Sequence, residues 1–196
     1  MVVPSLSPKS ADKVALRRVA REQRRWFVQS IDPQERQALE QSLAQVVEPL
    51  LTKSRITGGY CPMPSEISPL PAMNAAAARG AVVAYPTFAD HQSAFRFLAG
   101  DPVESGPWGC FQPSLEAPEV YPDLVLVPLI AVDAKGTRLG QGKGHYDRVL
   151  ARLRERAALL IGVGWEVQRL DRLIPPDPWD VALDGFASPD GLEMFR

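Results

Sequence analysis

Residues 138–148, RLGQGKGHYDR, combine a glycine-rich turn with cations on either side, the residue types that hold an anion. Gly140, Gly142 and Gly144 alternate, which lets the backbone turn tightly and bring several N–H groups to one point. Arg138, Lys143 and Arg148 add positive charge there, and a helix expected from near His145 aims its positive dipole end at the same place. Phosphate is the natural guest. A Walker A loop does not fit: five residues separate Gly136 from Gly142 where four are needed, and Gly144 follows Lys143 in place of Ser or Thr. The dinucleotide fingerprint fails too, because its third glycine would fall one residue later and no acidic ribose partner follows a further strand.

Phosphates held by backbone amides usually need a divalent ion to bridge them, and magnesium takes few protein ligands, all oxygen. Asp147, inside the cradle run, is the first candidate ligand, and Asp184, in the segment DPWDVALDGF (177–186), is the second. Each has an ordinary alternative: Asp147 could neutralise a helix N-terminus, and Asp184 could cap the last strand. A third group is YCPMPSEIS (60–68), where Glu66 follows two prolines that stiffen an exposed loop. Its spacing forces no chemistry, and an ordinary loop carboxylate is the alternative.

These groups need a scaffold. At 196 residues the chain can bury one sizeable core, so a single domain is expected over 1–196, with 1–9 a flexible N-terminus. The net charge of −1 lacks the basicity of a nucleic-acid binder. Two cysteines without CxxC spacing and two histidines suggest neither a zinc site nor a disulfide scaffold. No membrane span or signal peptide is legible, so a cytoplasmic, soluble, monomeric protein is expected, with no nucleic-acid or membrane partner.

Residues 10–30 predict a helix with Leu16, Val19, Ala20, Trp26 and Phe27 on a docking face and Lys13, Arg17, Arg21 and Arg24 on a second, cationic face, solvated unless a ligand claims it. A second helix is expected over 33–53, with Asp32 as N-cap and Pro33 in the first turn. Strands are expected at 56–61, 81–85, 123–132 and 159–165, with weaker ones at 94–98 and 184–187. Helices at 69–79 and 146–156 serve as crossovers. This alternation predicts an α/β fold with a mainly parallel sheet covered on both faces, whose binding crevice lies beyond the strand C-termini.

KVALR (13–17), YCPMPSEIS (60–68), LVLVPLIAVDAKGTRLGQGKGHYDR (124–148) and DVALDGF (180–186) occur in an order and spacing that resemble the 5-formyltetrahydrofolate cyclo-ligase family, also called 5,10-methenyltetrahydrofolate synthetases. The resemblance covers nearly the whole chain, and RLGxGxGxYDR is its specific motif. It implies a three-layer α/β/α domain that converts 5-formyltetrahydrofolate and ATP to 5,10-methenyltetrahydrofolate, ADP and phosphate with Mg2+. Lys13 and Arg17 would then bind ATP phosphates together with Arg138, Leu139, Gly140, Gln141, Gly142, Lys143, Gly144, His145 and Tyr146, with Arg138 and Lys143 catalytic. Asp147 and Asp184 would hold magnesium. Glu66 would hydrogen-bond the pterin of a reduced folate, with Cys61, Met63, Trp108 and Tyr146 bordering it, and Arg24 receives no role. Two positions depart from the family: His145 stands where a second tyrosine is commoner, and Leu129 where glycine is. A non-catalytic folate- or RNA-binding module of this fold, or another nucleotide- or sugar-phosphate-binding α/β enzyme, are the competing readings.

Overall fold

The computed structural model describes residues 8–91 and 93–195, with the side chains of 8–11 and Trp108 outside the description. Helix α1 (Pro8–Ser30) is followed by α2 (Pro33–Leu51), strand β1 (Ile56–Gly58), α3 (Leu70–Ala78), β2 (Val82–Thr87), β3 (Arg96–Ala99), β4 (Leu124–Pro128), α4 (His145–Glu155), β5 (Leu159–Val163), β6 (Gly185–Ser188) and β7 (Gly191–Met194). Of the N-terminal segment expected to be flexible, residues 1–7 lie outside the described residues, while Pro8 and Lys9 already belong to α1.

The seven strands form one sheet in the order β7-β6-β5-β4-β1-β2-β3. Neighbours are parallel from β6 through β2, and the edge strands β3 and β7 are antiparallel. Strand side chains alternate between faces. In β4, Leu124 and Leu126 join the core under α2 and α3, while Val125 and Val127 join the core under α4. Helices therefore cover both faces of a mainly parallel sheet. Each fully buried aliphatic side chain, such as Leu43 and Val47 of α2 or Leu150 of α4, contributes about 1.5–3 kcal/mol through burial. No helix among the described residues is long and apolar enough to cross a membrane.

Local signals place the helix starts well. Asp32 caps α2 by accepting from the Gln34 and Glu35 N–H groups at 2.8 Å each, and Pro33 occupies the first turn. The apolar run at 123–132, expected as one strand, is two. β4 ends at Pro128, and Ala131–Asp133 leaves for a second sheet between Arg169–Leu170 and Arg138–Leu139. Proline offers no N–H to continue the ladder, and the Leu129 and Ile130 carbonyls instead accept from the Gln168 side chain at 2.7 and 3.2 Å. The second sheet anchors the glycine-rich run: Arg138 and Leu139 pair antiparallel with Val132 and Ala131, so the cradle opens from a hairpin. Buried Asp133 tightens that hairpin by accepting from the Lys135 and Thr137 N–H groups, and ties it to the 171–184 loop by accepting from Ile174.

The faces of α1 differ from those expected. Lys13, Leu16, Ala20 and Arg24 are buried, whereas Val19 and Trp26 are exposed. At about 100° per residue these four buried positions fall on one stripe, centred nearer the cations than the apolar residues. The facing loops supply carboxylates and carbonyls, so burying cations there is tolerated.

Candidate functional site

A cavity of about 570 Å³ opens at the C-terminal ends of β1, β2 and β4. Chain progression reverses between β1, which continues to β2, and β4, which continues to β5 and β6 on the other side. Such switch points leave a crevice beyond the strands. Tyr60, Cys61, Met63 and Glu66 line it from the loop after β1, Pro86 and Phe88 from β2 onward, and Pro128 to Ile130 from the break after β4. Arg138 and residues 140–147 close one side, and Lys13, Arg17 and Arg21 of α1 with Asp177, Trp179 and Asp180 close another.

Two of the three alternating glycines take the left-handed backbone that favours glycine. Gly142 and Gly144 adopt φ of +89° and +67°, which side chains disfavour, and a Cβ on Gly142 would lie 3.3 Å from the Arg17 guanidinium carbon. Gly144 is also the N-cap of α4 and supplies no side-chain cap to the helix N-terminus that faces the cavity. Helix α1 clamps the cradle from outside, Arg17 Nε donating to the Gly140 carbonyl at 2.9 Å and Arg21 to the Gln141 side chain at 2.7 Å.

Cation and carboxylate pairs line the cradle half of the cavity. Lys13 Nζ donates to Asp177 and Asp180 at 2.6 Å each. Burial pulls Lys13 down, but the two carboxylates outweigh it and hold its pKa above the ordinary lysine value. Burial and the Arg21 charge lower Arg17. Arg138 donates to Asp147 at 2.8 Å, lies 5.4 Å over the Tyr146 ring, and keeps a buried Nε–H with no hydrogen-bond partner among the described residues. Such an orphan costs about 1–3 kcal/mol until an acceptor arrives. His145 meets Phe88 edge-on at 5.5 Å, and burial with the Arg148 and Lys143 charges lowers its pKa.

Glu66 dominates the opposite half. It is buried, its Oε2 accepts from the Met63 N–H at 3.0 Å, and its Oε1 lies 3.5 Å from Arg24. Burial raises its pKa, against the Met63 N–H and Arg24, which lower it. The loop carrying it is tied down at the backbone: Arg36 donates to the Pro64 and Glu66 carbonyls at 2.9 and 2.8 Å, Trp165 to Ser65 at 3.1 Å, and Tyr60 to Ile67 at 2.7 Å. Burial disfavours the thiolate form of the nearby cysteines, raising Cys61 to about 11 and Cys110 in the same direction. Burial also pushes the Tyr146 phenol up, followed by the Glu66 charge.

The fold thus gathers Lys13, Arg17, Cys61, Met63, Glu66, Arg138, Gly140, Gln141, Gly142, Lys143, Gly144, His145, Tyr146 and Asp147 around one cavity. Leu139 is instead buried beneath the cradle with Leu16 and Ala20, its carbonyl accepting from Ile130. The Trp108 side chain lies outside the described residues. Asp184 is not brought to the cavity. It sits before β6, at the N-terminal end of the sheet, where it accepts from the Leu160 N–H at 2.7 Å and pairs with Arg154. Its pairing with Asp147 around one ion is therefore corrected: the cavity carboxylates of that segment are Asp177 and Asp180. Their proline-flanked position in IPPDPWD marked an exposed loop, but only the contact with Lys13 selects them. Arg24, read as a solvated cation without a role, is buried beside Glu66.

The chain matches the model of the 5-formyltetrahydrofolate cyclo-ligase family over residues 9–189. It is 35% identical over 101 residues to the 5-formyltetrahydrofolate cyclo-ligase of Haemophilus influenzae, covering 49% of this chain and 54% of that protein. The Escherichia coli protein of the same name is 33% identical over 82 residues, covering 40% of this chain and 44% of its own. The chain spans about half the length, or less, of these curated relatives. The structure of Aquifex aeolicus 5,10-methenyltetrahydrofolate synthetase superposes with a TM-score of 0.73 at 26% identity over 91% of this chain and 93% of the other. The Mycoplasma pneumoniae 5,10-methenyltetrahydrofolate synthetase shares the fold, with a TM-score of 0.69 at 24% identity over 91% and 99%. With a family match that runs through α1, the Glu66 loop, the cradle and the 171–184 loop, the chain belongs to the 5-formyltetrahydrofolate cyclo-ligase family.

Proposed function

We propose that this chain uses ATP to close 5-formyltetrahydrofolate to 5,10-methenyltetrahydrofolate, releasing ADP and phosphate. The observation that carries the reading is one continuous cavity with a cationic glycine cradle at one side and a buried carboxylate, Glu66, at the other. The cradle N–H groups, Arg17, Arg138 and Lys143 would hold the triphosphate, and the unpartnered Arg138 Nε–H would find its acceptor there. Glu66 would accept adjacent N–H groups of the pterin, with Tyr146, Cys61 and Met63 bordering the ring. The formyl oxygen attacks the terminal phosphorus as ADP leaves. The second folate nitrogen then attacks the activated carbon, loses its proton, and phosphate departs with the oxygen.

No nucleophile from the protein is required; positioning and charge stabilisation suffice. The donor set suits magnesium: Asp147, Asp177 and Asp180 are hard oxygen ligands on the cavity wall. Among the described residues no ready-made group of three or more His, Cys, Asp or Glu ligands exists, and magnesium with a nucleotide usually takes only one or two carboxylates. Asp147 with Asp180 or Asp177 would hold the ion, which when bound neutralises phosphate charge. Lys13 and Arg138 now occupy these carboxylates, so the same cations exchange carboxylate for phosphate when nucleotide enters.

Purified protein mixed with 5-formyltetrahydrofolate and magnesium ATP should develop the absorbance of the methenyl product, and excess chelator should abolish it. Full-rate product in chelator would remove the metal from the reading. Folate binding without product in any condition would make the chain a binding module.

A further inference from the structure

We propose that Arg24 is a positioning residue for Glu66: reaching from α1 behind the cavity wall, it bridges the Leu129 carbonyl and the Glu66 carboxylate and fixes how that carboxylate meets a reduced folate. The inference rests on the folate half of the reading above. Arg24 is 5% exposed and Glu66 7%. Its Nη1 lies 3.3 Å from the Leu129 oxygen and 3.5 Å from Glu66 Oε1, and its Nε–H is buried without a partner among the described residues. A guanidinium does not shed its proton, so a buried one is tolerated only beside an anion, and Glu66 is the carboxylate it pairs with among the described residues.

The arrangement separates side chain from backbone. Arg36, Trp165 and Tyr60 hold the 64–67 backbone without help from Arg24. Loss of Arg24 therefore removes the cation at Glu66 Oε1 and leaves the carboxylate to the Met63 N–H at Oε2 and the Gln141 side chain, while its loop stays in place. Charge follows the same logic. Burial raises Glu66, and the Met63 N–H, Arg24 and the Gln141 side chain oppose it. The other groups facing this pair are Arg21 and Arg25 on α1, Tyr60 beside the loop, Tyr146 on α4 and Cys110, with Arg36 of α2 bound at the Glu66 carbonyl. Removing Arg24 removes a lowering influence. Glu66 then keeps its proton to higher pH, and folate use should fail at a higher pH.

The test compares Arg24→Met, Arg24→Lys and Glu66→Gln, measuring KM for 5-formyltetrahydrofolate and for ATP and the pH profile of kcat/KM for the folate. Arg24→Met should raise the folate KM about tenfold or more, the size of a lost charge-assisted contact, with ATP KM unchanged and the acid limb moved to higher pH. Arg24→Lys keeps the charge but not the fork, so the limb should stay while the folate KM rises. In a Glu66→Gln background, Arg24→Met should add less than about twofold. A folded Arg24→Met with unchanged folate KM and limb, while Glu66→Gln weakens folate, overturns the role of Arg24 alone. If Glu66→Gln itself leaves folate KM unchanged, the folate assignment of Glu66 fails, and Arg24's role with it. Should Arg24→Met not fold, a Lys variant with wild-type folate KM overturns the proposal.

Discussion

The two ends of the parallel strands treat aspartate in opposite ways. At the N-terminal end, Asp123 before β4 accepts from Ser54 at 2.6 Å and from the Arg55 N–H at 3.0 Å, and Asp184 before β6 accepts from the Leu160 N–H at 2.7 Å. The Asp184 backbone also donates to Leu160 and accepts from Phe195, so this residue ties β5, β6 and the chain after β7 together. At the C-terminal end, Asp147 pairs with the Arg138 side chain, and Asp180 with the Lys13 side chain and the Asp177 N–H of its own loop. A carboxylate bound to backbone N–H groups at the strand starts cannot leave without stranding them. One bound to a flexible cation can exchange partners when a more highly charged anion arrives. The first arrangement builds a fold, and the second suits the binding site proposed above.

The sharpest way to break this comparison is at Asp147. Asp147→Asn keeps an acceptor for Arg138 but removes the hard anionic ligand, so turnover should fall on the order of a hundredfold or more while the unfolding midpoint barely moves. Initial rates against magnesium concentration check it; a variant with wild-type magnesium dependence would place Asp147 with the fold-building aspartates.

Next in size is the cationic stripe of α1. Arg17→Gln should weaken ATP use by roughly tenfold to a hundredfold, one charge-assisted contact of about 1.5–3 kcal/mol. Lys13→Gln should do likewise and also lower stability, since Asp177 and Asp180 would be left facing each other. Arg18, paired with Glu22 on the exposed side, is the proper control: Arg18→Gln should stay within about 0.5 kcal/mol and leave kinetics alone. Unchanged ATP KM in both site variants would confine the nucleotide to the glycine cradle.

The smallest effect on activity belongs to Asp184. Asp184→Ala strands the Leu160 N–H, while the Arg154 guanidinium keeps the Ala182 carbonyl and water, and should cost about 1–3 kcal/mol in urea unfolding. Magnesium dependence should be unaltered below the transition, and a changed dependence would return Asp184 to the proposed magnesium ligands.

Local chemistry was legible from residues alone. Alternating glycines announced the cradle, and Gly142 and Gly144 do take positive φ. Asp32 and Pro33 announced the start of α2, and the apolar alternation announced a sheet with two covered faces. Each of these depends on neighbours within a few residues, so the sequence by itself determined them. Tertiary structure alone decided which carboxylates face the cavity, since Lys13 and Asp177 stand 164 positions apart and nothing nearby distinguishes Asp180 from Asp184. It likewise decided that α1 buries Lys13 and Arg24 and exposes Trp26. Helical periodicity fixes which residues share a face, but a cation becomes a buried residue only when distant loops bring the anions and carbonyls that replace its water.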